Sequence, residues 1–327
     1  MFAAYRTGKA FESLLLSCAC RSGAVVAIAL DAINVLRETD MQNNLRLFDY
    51  HSTMRFVQIL FFLLVLMCST NCVKQSKPHL LSRVAVTGAS VTAGQGVKTP
   101  PKKGDLTAYP MNMTHVLEGM IEVPHDKVAY FGDILFFRNP KELGKAFVED
   151  INDYQPTLLV AFDFLFWFGH GYLPKDEDEL EFRMERLEIA LELLCSLDCE
   201  IVIGNFPDVS FATRTLLNSR QVPSEKVRAA LNARIKTWGE SYDRVHVIDV
   251  ESLWRDAIEN KTITILDNTW ENTRSQLLQS DYLHASLDGL ISACLLMVDC
   301  LEADGFELDA LIIRKNAAEA ARNNQES

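Results

Sequence analysis

Residues 83–96, which read RVAVTGASVTAGQG, decide the fold. Their first five residues form a short apolar run rich in valine, which is typical of a strand buried on both faces. The small residues that follow indicate a tight turn out of that strand. Four similar runs occur at residues 127–131, 157–162, 200–203 and 245–250. The chain is therefore expected to contain a buried sheet of about five strands.

Amphipathic segments separate these runs. Apolar residues recur every three or four positions over residues 180–194 and 227–238, and Ser224 is placed to cap the second segment. A last helix is expected over residues 287–301. Strands that alternate with helices predict a three-layer α/β/α sandwich with a central parallel sheet, as in flavodoxin-like folds. Ligands bind at the carboxyl ends of such strands, so the chemistry is expected just after each run.

The composition excludes some functional classes. The 327 residues carry a formal net charge of -12, which argues against nucleic-acid binding, because phosphate contacts need clusters of Lys and Arg. The eight cysteines have no CxxC or histidine spacing that indicates zinc. Four of them, at positions 195, 199, 294 and 300, are interpreted as small apolar residues. No metal or cofactor is expected.

An apolar run at residues 56–68, FVQILFFLLVLMC, precedes the predicted domain. It is shorter than the roughly 20 residues of a spanning helix, and it suits the apolar region of an export signal that starts at Met54. Alternatives are a short membrane anchor, a lipid-modified Cys68 or Cys72, and a buried core helix. The predicted organisation is an extension at 1–53, a signal or anchor and linker at 54–80, a domain at 81–304 and a polar tail at 305–327. We expect an exported protein of the cell envelope.

Two interpretations of the turn after residue 87 fail on spacing. A dinucleotide-binding turn of the T-G-x-x-x-G-x-G type needs its second glycine four residues after Gly88, where Thr92 stands. The nucleophile elbow G-x-S-x-G also needs a glycine at position 92 and normally follows a central strand.

A third interpretation fits better. Gly88-Ala89-Ser90-Val91-Thr92-Ala93-Gly94 resembles the first motif of the GDSL (SGNH) hydrolase family, Gly-Asp-Ser-(Ile/Leu/Val)-Thr-x-Gly, and lacks only the Asp. Asp281-Tyr282-Leu283-His284, with Gly289 five residues later, resembles the family's last motif, Asp-x-x-His. The resemblance extends over about residues 82–301. It implies Ser90 as nucleophile, His284 as general base and Asp281 as the residue that orients the histidine.

The chain departs from the family pattern where the oxyanion is bound. The family has Gly-x-Asn-Asp after the third strand, whereas this chain has Asp163, and an ionised carboxylate cannot donate a hydrogen bond. The expected donors are therefore the N–H groups of Ser90 and Gly132, with Asn205 as a substitute side chain. Asp163, Phe164 and Trp167 are expected to contact the substrate, with ordinary core packing as the alternative for the two aromatic residues.

These features predict a serine ester hydrolase that works through an acyl-enzyme on a small-molecule, lipid or glycan ester. Membrane association would come from the amino-terminal segment or a lipidated cysteine. One alternative is a degenerate member of the family that binds acylated glycans or lipids in the envelope without hydrolysis. A flavodoxin-like binder of small molecules is a further alternative, which leaves the Asp281–His284 motif unexplained.

Overall fold

The structure is a computed structural model that describes residues 79–99 and 108–308. The chain divides between residues 76 and 77, and every described residue lies in the second part. The predicted extension, the export segment and nearly all of the polar tail lie outside the described residues. Within the described ranges, no helix is both long enough and apolar enough to cross a membrane.

A five-stranded parallel sheet forms the centre of the domain, in the order β2-β1-β3-β4-β5. Its strands are β1 (Val84–Gly88), β2 (Ala129–Gly132), β3 (Leu158–Ala161), β4 (Glu200–Gly204) and β5 (Val245–Ile248). Each predicted strand is confirmed to within two residues at either end. The residues of β1 and β3 are all buried, as expected for strands covered on both faces.

Helices cover the sheet and confirm the predicted α/β fold. They are α1 (Met113–Met120), α2 (Pro140–Tyr154), α3 (Phe166–Gly169), α4 (Glu179–Cys195), α5 (Glu225–Gly239), α6 (Val250–Ile258), α7 (Thr273–Leu277) and α8 (Leu287–Ala303). α4 packs between α2 and α5, while α8 packs against α1, and both α5 and α8 contact β5. The three helices expected from apolar periodicity are α4, α5 and α8.

Helix starts follow capping chemistry in one case and depart from it in another. The Ser286 hydroxyl accepts a hydrogen bond from the Gly289 N–H (3.1 Å), which caps α8. Ser224 occupies the position before α5, but its hydroxyl donates to Glu179 Oε2 (2.7 Å) and makes no capping bond. The expected capping hydrogen bond of Ser224 is therefore wrong. The carboxylate of Glu179 lies within reach of the hydroxyl and binds it instead.

A short antiparallel hairpin, β6 (Ile263–Ile265) and β7 (Asn268–Trp270), was not expected. Its two turn residues, Leu266 and Asp267, have φ values of 47° and 66°. Both angles are those of a type I′ turn, which usually contains Asn or Gly. The absence of those residues explains why the sequence does not indicate the hairpin.

The sheet order creates a switch point between β1 and β3. β2 lies on one side of β1, and β3, β4 and β5 lie on the other side. Ser90 follows β1, and Asp163 follows β3. Sheets with this order bind their ligands at the carboxyl ends of the two strands that flank the switch point. The fold therefore places Ser90 where chemistry is expected.

Candidate active site

Ser90 lies in a single helical turn directly after β1. Hydrogen bonds from the Ala93 N–H to the Ala89 carbonyl and from the Gln95 N–H to the Ser90 carbonyl, both 2.9 Å, close this turn. The Ser90 side chain is half-buried and lines a cavity. Among the hydrogen bonds of the described residues, none uses the Ser90 N–H. Ser90 thus carries both its hydroxyl and an unused backbone N–H next to the cavity.

Asp163 holds this turn from the neighbouring strand. Its carboxylate accepts hydrogen bonds from the N–H groups of Ala89 (2.9 Å) and Val91 (2.9 Å), on either side of Ser90, and from the Thr92 hydroxyl. Burial raises the pKa of the Asp163 carboxyl, and these hydrogen bonds oppose that change. Gly88 is needed here, because a Cβ at that position would overlap the carboxylate.

The contacts of Asp163 give it a structural role that was not expected. The residue borders the cavity, but both carboxylate oxygens are used by the Ser90 turn. Asp163 therefore holds the Ser90 turn in place, and its contact with a substrate stays a prediction. The chain has alanine where the family has the Asp of its first motif, and it supplies a carboxylate to the same turn from the end of β3.

His284 and Asp281 form a hydrogen-bonded pair. His284 Nδ1 lies 2.8 Å from Asp281 Oδ2, and the N–H groups of Leu283 and His284 both donate to Asp281 Oδ1 at 2.9 Å. Burial opposes ionisation of Asp281, but the hydrogen bonds from His284 and Leu283 lower its pKa below the ordinary value. An ionised Asp281 accepts the Nδ1 proton, so the lone pair of the neutral imidazole is at Nε2, as a general base requires.

The loop that carries this pair is built as a narrow hairpin. Leu278 and Ala285 form an antiparallel bridge, and the Gln279 N–H donates to the His284 carbonyl (2.9 Å). Tyr282 adopts a left-handed conformation with φ of 58° at the tip, between Asp281 and His284. This turn brings the carboxylate back onto the N–H groups of the two residues that follow Tyr282.

Gln279 joins the histidine loop to the nucleophile turn. Its side-chain Nε2 donates to the Gln95 carbonyl (2.6 Å) and to the Ala285 carbonyl (2.7 Å). Gln95 ends the turn that contains Ser90, and Ala285 follows His284. One amide group thus connects the two loops across 184 residues of sequence. Gln279 could not be predicted from the sequence, because a glutamine in a loop belongs to no motif.

The turn of Ser90 and the loop of His284 both border one cavity. Leu283, the neighbour of His284, lines it together with Ser90. Its remaining walls are mostly apolar and include Phe162, Phe166, Phe206 and Trp254.

Phe164 and Trp167 pack in the core, which is the alternative to a contact with substrate. Phe164 is fully buried and packs against Phe136 and Phe168, and Trp167 packs against Phe137 and Phe166. Neither residue lines the cavity beside Ser90. The chain turns into α3 after β3, and this turn directs Phe162 and Phe166 to the cavity instead.

Asn205 borders the cavity, but its amide serves another purpose. Nδ2 donates to Asp249 Oδ1 (3.0 Å), and Oδ1 accepts from the Glu251 N–H (2.7 Å). These two contacts fix the amide against the start of α6. The expectation that Asn205 donates to an oxyanion stays a prediction.

Gly132 pairs with Gly88 at the end of β2, beside the strand that leads to Ser90. A Cβ at Gly132 would lie 2.7 Å from both the Gly88 carbonyl oxygen and the Tyr130 hydroxyl, so close packing requires glycine there. The Tyr130 hydroxyl has no hydrogen-bond partner among the described residues. Burial, together with the charges of Asp163 and Asp133, raises the pKa of Tyr130, so the group stays a proton donor. The oxyanion role of Gly132 stays a prediction.

The described residues include no cluster of His, Cys, Asp and Glu that could hold a metal ion. The four described cysteines are free thiols, and Cys294 is buried. Burial raises the pKa of Cys199 to about 12 and that of Cys300 to about 11, so both thiols stay protonated at neutral pH.

No protein-family model and no curated protein sequence matches the chain. The chain is similar to several solved structures. A gut microbial diltiazem-metabolizing enzyme has 17% identity and a TM-score of 0.42 over 70% of this chain, which spans 48% of that protein. A GDSL-like lipase from Parabacteroides merdae has 15% identity and a TM-score of 0.43, covering 70% of this chain and 100% of the lipase.

An acetylxylan esterase from Geobacillus stearothermophilus has 15% identity and a TM-score of 0.41, over 69% of this chain and 95% of the esterase.

Proposed function

We propose that the protein is a serine ester hydrolase with Ser90 as nucleophile and His284 as general base. The observation that carries this proposal is the Asp281–His284 pair, joined by a 2.8 Å hydrogen bond on a loop that borders the same cavity as Ser90. Serine is a poor nucleophile until a base accepts its proton. A buried imidazole with its lone pair at Nε2 provides such a base.

The reaction would take two steps. The Ser90 hydroxyl gives its proton to His284 Nε2 while Oγ bonds to the ester carbonyl carbon, and the carbonyl oxygen becomes an oxyanion. The C–O bond to the alcohol then breaks, and the alcohol leaves with the proton from His284. Water repeats the sequence on the acyl-enzyme, giving the carboxylic acid and free Ser90.

The Ser90 N–H is the first donor for the oxyanion, because it has no other partner among the described residues. The N–H of Gly132 is proposed as the second. Removing one oxyanion donor from a serine hydrolase costs about 10²–10³ in rate. We therefore expect a slow enzyme, because a carboxylate, Asp163, occupies the place of the family's donor asparagine.

Steady-state hydrolysis of an activated acetate ester, followed by intact-mass detection of the acyl-enzyme, tests this function. The wild-type protein should turn over the ester and gain one acetyl group on Ser90 at early times. Ser90→Ala should do neither. A folded wild-type protein that neither hydrolyses nor becomes acylated would refute the hydrolase.

A second candidate is a domain that binds acylated glycans or lipids without hydrolysing them. The absence of a donor side chain at position 163 favours it, because Asp163 accepts hydrogen bonds only. In that case Ser90→Ala would bind the ester ligand as the wild type does, and no acyl-enzyme would form.

We also propose that the protein acts outside the cytoplasm, in the cell envelope. The support is the apolar run at residues 56–68 in the sequence, which follows Met54 and Arg55 and precedes Cys72. Expression of the full chain with a reporter that is active only outside the cytoplasm tests this. A reporter that stays inactive would contradict export.

A further inference from the structure

The cavity beside Ser90 has the dimensions of a small acyl group. Its volume is about 30 Å³, and its lining comes from the carboxyl ends of β3 and β4, the start of α6 and the histidine loop. One water-sized group needs about 10–15 Å³ of such space, so the cavity holds two or three groups of that size. This space suits a methyl or ethyl group better than a long alkyl chain.

A second void shares part of its lining with the first. Its volume is about 10 Å³, and it is bordered by α6, α7 and α8. Three residues, Val91, Phe162 and Trp254, line both spaces. Trp254 has the largest side chain of the three, is only 5% exposed and borders both spaces.

Trp254 is set in this place by the start of α6. The Asp249 side chain accepts from the Ser252 N–H (3.1 Å), which caps the helix, and the Asn205 amide accepts from the Glu251 N–H (2.7 Å). Trp254 follows within the same helical turn. Its buried Nε1–H has no hydrogen-bond partner among the described residues. The ring is thus held by packing and by the rigid helix start.

We infer that the Ser90 cavity is the acyl pocket of the hydrolase and that Trp254 limits it to short acyl chains. The inference rests on the proposed function and deepens it. The acyl carbonyl carbon bonds to Ser90 Oγ, and the alkyl group enters the apolar space in front of Trp254. The alcohol leaves toward solvent, because the indole closes the inner end of the cavity. The substrates are therefore acetate or propionate esters.

A series of p-nitrophenyl esters with acetyl, butyryl, octanoyl and lauroyl groups tests the inference. Each methylene that does not fit a pocket changes kcat/KM by about 10-fold or more. We expect wild-type kcat/KM to fall at least about 10-fold between the acetyl and octanoyl esters. Trp254→Ala joins the two spaces and should raise kcat/KM for the octanoyl ester about 10-fold or more relative to the acetyl ester.

Trp254→Phe is the matched control, since it keeps an aromatic wall and removes only the indole N–H and part of the ring. Its chain-length profile should stay close to that of the wild type. Trp254→Leu serves as a second opening variant if thermal unfolding shows that Trp254→Ala does not fold. Covalent labelling of Ser90 by a fluorophosphonate reports in each variant whether the site is intact.

The outcomes separate the two proposals. A wild type that labels at Ser90 but hydrolyses octanoyl and acetyl esters equally overturns the pocket and leaves the hydrolase standing. Folded opening variants with an unchanged chain-length profile overturn the role of Trp254. A wild type that neither labels nor hydrolyses any ester overturns the proposed function itself, and the acyl pocket with it.

Discussion

Two buried histidines contact carboxylates at opposite ends of the sheet. His284 Nδ1 lies 2.8 Å from Asp281 Oδ2 at the carboxyl end, and His246 Nδ1 lies 2.6 Å from Asp304 Oδ2 at the amino end. Both rings are nearly inaccessible, with exposed fractions of 4% and 3%. By the first contact alone, the two pairs are equivalent.

The second ring nitrogen of each histidine distinguishes the two pairs. His246 Nε2 faces Glu200 Oε2 at 3.2 Å, and the Phe306 ring lies against the imidazole, so neither nitrogen is available to a substrate. His284 instead belongs to a loop that lines a cavity with Ser90. Among the described residues, the two pairs therefore differ in their surroundings: the loop of His284 borders a cavity beside Ser90, whereas both ring nitrogens of His246 are occupied by carboxylates.

The largest expected difference in kcat is between the alanine variants of the two histidines. His284→Ala removes the base and should lower kcat about 10⁴-fold or more, as in other serine hydrolases. His246→Ala should leave kcat unchanged and reduce the free energy of unfolding by about 1–2 kcal/mol, because it removes buried contacts. Ester hydrolysis and urea unfolding measure the two effects. Equal losses of kcat would remove the distinction between the two ends.

The aspartates extend the same comparison. Asp281→Asn should lower kcat about 10³–10⁴-fold, because an amide can donate to Nδ1 and stabilise the wrong tautomer. Asp304→Asn, the matched change at the amino end, should leave kcat within about twofold, a margin typical of surface changes. A full rate for Asp281→Asn would show that the pair serves only the fold.

Gln279 tests whether the two loops must be held together. Gln279→Ala loses the donor to the Gln95 and Ala285 carbonyls, and displacement of a catalytic group by about 1 Å can cost about 10²-fold in rate. We expect kcat to fall about 10–100-fold with KM nearly unchanged. Gln279→Glu keeps the size but presents oxygen to both carbonyls, so it should be no better. An unchanged kcat in both variants would exclude a positioning role.

Tyr282 tests the tip of the histidine loop. A left-handed residue costs about 1–2 kcal/mol for most side chains and nothing for glycine. Tyr282→Gly should therefore retain activity, whereas the β-branched Tyr282→Val should lower both the melting temperature and kcat. Parallel thermal unfolding and kinetics of the two variants measure this. Better activity in the valine variant would contradict the importance of the turn.

The smallest expected effect is on the pH dependence of stability. The hydrogen bonds from His284 and Leu283 lower the pKa of Asp281, so its stabilising contribution is present above the unfolded-state pKa of about 3.9. That contribution is lost as the pH falls through the lower folded-state value. The difference in unfolding free energy between the wild type and Asp281→Asn should therefore shrink below about pH 4. Asp304→Asn provides the reference curve.

The strands and the contact between Asp281 and His284 could be predicted because their signals are local. Buried apolar runs predict the strands, and the spacing of Asp281 and His284 leads directly to their hydrogen bond. Contacts between distant segments had no such signal. The carboxylate of Asp163 reaches the Ser90 turn only because β1 and β3 are neighbours.

The residues that line the cavity could not be predicted from the sequence either. Phe162 follows β3, and Trp254 lies in α6. Which aromatic residues line the cavity depends on how α3 and α6 leave the sheet. Phe164 and Trp167 were expected at the substrate because they are close to Asp163 in sequence. Side-chain direction after a strand is set by the following turn, which composition does not reveal.

The most direct test of the central claim is fluorophosphonate labelling of the folded domain, with the modified residue located by mass spectrometry. The wild type and His246→Ala should be labelled at Ser90, and Ser90→Ala and His284→Ala should not. This result would establish an activated serine that depends on the histidine at the carboxyl end of the sheet. A folded wild type that is not labelled, or labelling of His284→Ala at the wild-type rate, would contradict the account.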